Sequence, residues 1–174
     1  MSMHTLSVLV EDRPGVLTRV ANLFARRGFN IHSLAVGTAE EPGLSRMTIV
    51  VDVQKKPLEQ VTKQLNKLLS VLKVVELDPD DAVERELVLF KVSAEGELRA
   101  RLREIAEIFR ARVVDVTHET LTIEATGTPD KIEALRQLLE EHVIEMVRTG
   151  RIGLSRGARG MRRGRLRVAR AAGA

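Results

Sequence analysis

The feature that most constrains this chain is an order of elements that runs through it twice. The stretch "HTLSVLV" alternates, with Leu6, Val8 and Val10 on one face, and so predicts a strand. Asp12 is a candidate N-cap, and Pro14 falls in the first helical turn, where a missing N–H is tolerated. Leu17, Val20, Leu23 and Phe24 then recur at helical spacing. Arg26 and Arg27 complement the C-terminal end of the helix dipole, and Gly28 is a candidate stop. "NIHSLAVG" predicts a second strand, "TAEEPG" a loop, and "SRMTIVVDV" a third strand with Met47, Ile49, Val51 and Val53 on one face. Pro57 opens a helix with Val61, Leu65 and Leu68 inward, and "VLKVVEL" closes the half as a fourth strand.

The second half repeats this order. "RELVLFKV" predicts a strand, and Leu98, Leu102, Ile105, Ile108 and Phe109 mark a helix. "VVDV" and "LTIEAT" flank "THET" as a tight hairpin. Thr128 and Pro129 start a helix with Ile132, Leu135, Leu138 and Leu139 inward, and "VIEMVR" is the last strand. Leu17, Val20, Leu23, Phe24 and Ile31 align with Leu102, Ile105, Ile108, Phe109 and Val116 at an offset of 85. The fold class is therefore α+β: two tandem ferredoxin-like βαββαβ units, each an antiparallel sheet with two helices on one face. The units are expected at 1–78 and 84–149, joined by an acidic, proline-containing linker at 79–83. The Arg/Gly-rich tail, 150–174, has no apolar period and is expected to be flexible.

Composition narrows the function classes. There are no cysteines, which excludes disulfides, thiolate zinc sites and a Cys nucleophile. Four Phe with no Trp or Tyr disfavour a stacking platform for single strands. The N-terminus lacks the basic and long apolar regions of a signal peptide. No stretch reaches the roughly 18 apolar residues of a membrane span, so a cytoplasmic location is expected. From Met146 onward there are nine Arg and no acid, which leaves 1–145 with 19 basic against 24 acidic residues: an acidic body with a basic tail. His4, His32, His118 and His142 show no metal-ligand spacing, no phosphate loop is present, and Ser33 lacks a nucleophile-elbow context. Nothing here forms a catalytic constellation, and no metal site is expected.

The segment "EDRPGVLTRVANLFARRGFNIHSL" offers binding chemistry instead. In a βαββαβ unit the loop after the first strand and the start of the second strand are expected at one sheet edge, which would bring Asp12 to Val16 near Asn30 and Ile31. The first helical turn supplies unpaired N–H groups and partial positive charge, and Gly15 admits close approach to that backbone, so a carboxylate fits. Asn30 carries both an acceptor for an ammonium and donors for a carboxylate. Val16, Leu17 and Ile31 would wall a small apolar side chain. Pro-Gly before a helix also serves as a plain turn, and Asn after a stop also serves as a local backbone bond.

These residues carry a resemblance. "SVLVEDRPGVLTRVANLFARRGFNIHSLAV" followed by "LSRMTIVV" resembles the N-terminal ACT domain of the small, regulatory subunits of acetolactate synthase. The likeness continues through "QLNKL", "VLKVVEL", "ERELVLFKV", "EIFRARVVDVT" and "TGRIGLSRG", covering roughly residues 3–158. The resemblance implies ACT domains that pair side by side in a homodimer, with a branched-chain amino acid, typically valine, at the interface. It assigns effector contact to Asp12, Gly15, Val16, Leu17, Asn30 and Ile31. Two positions depart from the pattern: Asp12 stands where relatives often have Asn, and Val16 is larger than an alanine-type residue. The resemblance further implies a chain with no chemistry or cofactor of its own. It would activate a large catalytic subunit that uses thiamine diphosphate, a divalent metal such as Mg and FAD to condense pyruvate, and would confer feedback inhibition on it. The competing readings are a nucleic-acid-binding regulator, supported by the arginine tail, and a free-standing amino-acid sensor.

Overall fold

The structure is a computed structural model and describes residues 3–52, 58–158 and 160–161. The first unit comprises β1 (Met3–Glu11), α1 (Val16–Arg27), β2 (Asn30–Thr38), β3 (Leu44–Asp52), α2 (Leu58–Leu65) and β4 (Val71–Leu77). The second comprises β5 (Ala82–Ser93), α3 (Leu98–Ile108), β6 (Arg112–Val116), β7 (Thr120–Gly127), α4 (Pro129–Leu139) and β8 (Val143–Arg148), with β9 (Ile152–Ser155) following. The sheets have the orders β2-β3-β1-β4 and β6-β7-β5-β8, all antiparallel pairs, as the ferredoxin-like expectation requires. Pro57 and Val53 lie outside the described residues.

Alternation sorts β1 between two faces. Leu6, Val8 and Val10 join Met47, Ile49 and Val51 beneath the helices, where Val16, Val20, Phe24, Val61 and Leu65 close the first core. Each such fully buried side chain contributes about 1.5–3 kcal/mol relative to an exposed one. The second core has the same plan, with Val88, Phe90 and Val92 on β5 under Leu102, Ala106, Ile132, Leu135 and Leu139.

The helices correct several sequence readings. α1 starts after Gly15, which sits in the left-handed region at φ 83 as N-cap, and no side chain caps the helix. Asp12 is therefore not the cap. Its amide donates to the Gly43 carbonyl at 2.8 Å, so the loop from the strand end turns before the helix begins. The inward stripe is Val16, Val20 and Phe24, and Leu17, one residue off that stripe, is 45% exposed. Ile108 and Leu138, read as inward, also face outward, at 71% and 56% exposure. Leu68 packs against the core from the turn after α2 rather than from the helix.

The internal repeat is real, but its register is 82, not 85. The bulge at Leu9/Val10 recurs at Lys91/Val92, and that at Ile31/Ser33 recurs at Val113/Asp115. The left-handed stop at Gly28 recurs at Arg110, the positive-φ non-glycine residue among those described. The stop closes with Phe29 N–H to Phe24 O in one unit and Ala111 N–H to Ala106 O in the other.

The segments between and after the units are also structured where described. Asp78 caps a short 3-10 turn at Pro79–Asp81, and β5 begins at Ala82, inside the expected linker. The first part of the expected flexible tail forms β9, paired with Ala82–Arg85 of β5. Met161 is buried against Leu9 and Leu44 on the back of the first sheet. The remainder of the arginine tail, Arg159 and residues 162–174, lies outside the described residues.

Candidate functional site

The sequence-predicted residues fall into two groups. Asp12, Gly15, Val16 and Leu17 stand where β1 ends and α1 begins. Glu11 pairs with Leu44, which defines that end of the sheet. Asn30 and Ile31 open β2, and Asn30 pairs with Asp52, which in turn pairs with Met3 at the start of β1. The two groups are thus at opposite ends of the sheet in one chain, separated by the length of α1, about 18 Å. The expectation that they share one edge is wrong. A helix that leaves the end of β1 runs back before β2 can start, so β2 begins beside the beginning of β1.

The first group is an open anion cradle in form. Gly15 is exposed, and a Cβ built on it would meet nothing within 4 Å, so the backbone there is approachable from solvent. Val16 N–H donates to Arg13 O at 3.3 Å, while the amides of Leu17 and Thr18 are first-turn groups that a helix cannot pair internally. Val16 itself is buried and lines a cleft of about 250 Å³ with Arg19, Val20 and the Lys67–Val71 turn. Asp12 and Leu17 are exposed. In the second group Asn30 is exposed at the strand start, and Ile31 packs partly into the first core. β2 is an edge strand, with its outer side facing no other strand among the described residues.

Sequence reasoning missed the polar knot immediately behind Ile31. Ser33 Oγ accepts the Arg151 N–H at 2.9 Å. The Arg151 guanidinium donates to Thr5 Oγ1 at 3.2 Å and to Glu84 Oε2 at 3.1 Å. The available signal was weak: Arg151 is one arginine in a run of them, inside "TGRIGLSRG".

Among the described residues, no group of His, Asp or Glu could hold a metal ion, and no helix is long and apolar enough to cross a membrane. His4 contacts Glu76 at 2.8 Å across β1 and β4.

Fold and loop together define an ACT-type regulatory architecture followed by a second unit of like fold. Residues 6–73 match the family model of the AHAS small subunit-like ACT domain, and residues 85–157 match that of the small subunit of acetolactate synthase. The chain is 59% identical to the acetolactate synthase small subunit of Mycolicibacterium smegmatis, over 91% of this chain and 94% of that protein. It is 53% identical to the probable acetolactate synthase small subunit of Archaeoglobus fulgidus, over 88% of this chain and 97% of that one. The crystal structure of the Thermotoga maritima acetolactate synthase small subunit superposes with a TM-score of 0.84 at 45% identity, covering 90% of this chain and 99% of that one. The chain belongs to the acetolactate synthase small-subunit family. Membership puts it on the non-catalytic side of that enzyme.

Proposed function

We propose that this chain activates the large catalytic subunit of acetolactate synthase in the cytoplasm and confers feedback inhibition by a branched-chain amino acid, valine in the first instance. Thiamine diphosphate, Mg and FAD belong to the large subunit in this reading. The observation that carries it is the placement of the two residue groups at opposite ends of one sheet margin. α1 lies on the β2 side of the sheet, and β2 is its edge. A two-fold axis at that edge pairs β2 with its copy antiparallel. It sets the Gly15 end of one protomer against the Asn30 end of the other. Each of two equivalent sites then takes the first helical turn from one chain and Asn30 with Ile31 from its partner.

In such a site the valine carboxylate meets the Leu17 and Thr18 amides at the positive end of α1. The Asn30 carbonyl oxygen accepts from the ammonium, and Ile31 flanks the isopropyl group. Asp12, exposed and free of a capping role, contributes by facing the ammonium rather than the carboxylate. Because each site is divided between protomers, small rotations between them change its walls. The effector therefore binds two arrangements with different affinity, which is the condition for coupling to the catalytic subunit.

The test is a thermal-shift titration with valine, leucine, isoleucine, glycine and serine. Valine or a close relative raises the melting temperature of the native chain by mass action, and Asn30→Ala loses that rise. Absence of any rise with all five would remove the effector site from the account.

A further inference from the structure

β9 does not end the second unit; it carries that unit onto the first. β8 and β9 run along the same side of β5, β8 on Val88–Val92 and β9 on Ala82–Arg85. Between them Thr149 is anchored to Leu87: its N–H donates to Leu87 O at 3.0 Å and its Oγ1 accepts the Leu87 N–H at 3.1 Å. The chain then turns through Gly150 at φ +81 and crosses onto β2 of the first sheet. A Cβ on Gly150 would stand 2.7 Å from Ser33 Oγ, so glycine is required by the approach as well as by the backbone angle.

The contact falls at a sensitive place. Ser33 ends the bulge that begins at Ile31, so a displacement of Ser33 is passed directly to Ile31 and Asn30. Arg151 holds three strands at once: its amide is on Ser33 of β2, and its guanidinium is on Thr5 of β1 and Glu84 of β5. The hold is incomplete. Glu84 is 13% exposed, its second carboxylate oxygen is buried, and that oxygen has no hydrogen-bond partner among the described residues. A buried carboxylate oxygen left unpaired costs free energy, so this seating of the ribbon is not fully satisfied.

We propose that the Gly150–Arg151 turn is the link through which the Asn30–Ile31 half of the effector site and the second unit sense one another, with Arg151 as its positioning residue. This rests on the effector reading above. When an amino acid orders Asn30 and Ile31, the bulge tightens and Ser33 draws on the Arg151 amide. The β5–β9 ribbon then reseats against the back of the first sheet. Both guanidinium bonds leave one nitrogen, Nη1, so truncating the side chain removes both at once.

Hydrogen exchange by mass spectrometry on the full chain, with and without saturating valine, tests the link. In the native chain valine slows exchange at 30–34 and, tenfold or more, at 152–155. In Arg151→Ala, which removes both Nη1 bonds, and in Ser33→Ala, which deletes one hydroxyl and leaves the packing, the effect at 152–155 falls below twofold. The effect at 30–34 persists. A native chain whose melting temperature rises with valine while exchange at 152–155 stays unchanged overturns the link and leaves the effector site standing. Full retention of the 152–155 effect in both variants also overturns it. A native chain with no thermal response to valine overturns the effector reading and the link together.

Discussion

The two units of this chain share a fold down to its irregularities, yet they differ at the positions that matter for binding. At the repeat register of 82, the counterpart of Gly15 is Glu97, which caps α3 from the right-handed region. The counterpart of Asn30 is Arg112, the first residue of β6. The second unit keeps an open left-handed glycine, Gly96, one residue earlier, but has a carboxylate at the cap position itself and a guanidinium where the first has an amide. Its ends are adapted to charge, not to a small zwitterion. The backs of the sheets differ as well. Leu9 is buried under Met161, whereas its counterpart Lys91 is exposed and paired with Glu145. Among the described residues, the C-terminal ribbon covers one sheet and leaves the other bare. A repeated scaffold has been divided into a binding unit and a unit that reaches across to it.

The largest expected effect tests whether the corrected helix faces are right. Leu102→Ala, at a fully buried position, costs about 2–5 kcal/mol in urea unfolding, whereas Leu138→Ala, at a largely exposed one, stays within about 0.5 kcal/mol. Equal costs would return the helix faces to the sequence-based assignment. Next comes conversion of the first unit toward the second. Gly15→Glu places a carboxylate where the effector carboxylate belongs and weakens valine binding on the order of 100-fold by calorimetry, or about 2.7 kcal/mol. Glu97→Gly leaves valine binding unchanged.

A smaller effect concerns the shared stop. Arg110 holds a left-handed angle that glycine adopts freely, so Arg110→Gly raises stability by about 0.5–1 kcal/mol, while Gly28→Ala lowers it by about 1 kcal/mol. The smallest effect is a pH dependence. The hydrogen bond and charge of Lys91 hold the Glu145 carboxyl below its ordinary 4.5, and Glu145 holds the Lys91 ammonium above its ordinary 10.5. The Glu145 contribution is present above pH 4.5 and lost as pH falls through the depressed value. The Lys91 contribution is present below 10.5 and lost as pH rises through the raised one. Lys91→Ala flattens both arms of a melting-temperature profile slightly. Leu9→Ala, its counterpart, shifts the whole profile down without changing its shape.

Element order and fold were legible because each unit keeps its own period: alternation in the strands and a helical stripe between them. The repeat offset was misread for a physical reason. Registers of 82 and 85 differ by three residues, close to one helical turn, so both superpose apolar faces, and periodicity cannot choose between them. The bulges and the left-handed stop choose, and they are backbone features. Binding residues were legible as residue types, but their grouping was not. The reading placed both ends of α1 at one sheet edge, and the helix itself separates them. β9 escaped notice because "IGLS" is short, contains glycine and sits among arginines, where no alternation can be seen.

The account's central claim is that each effector site is assembled from two chains, and complementation tests it most directly. Gly15→Glu and Asn30→Ala chains each lack a working site as homodimers. Co-expressed, they form mixed dimers in which the intact Gly15 end of one chain meets the intact Asn30 of the other, so valine binding returns at about a quarter of all sites. Recovery of valine-dependent stabilisation in the mixture, absent from either variant alone, is the predicted result. A mixture as unresponsive as its components would contradict the assembly of each site from the Gly15 end of one chain and the Asn30 end of another.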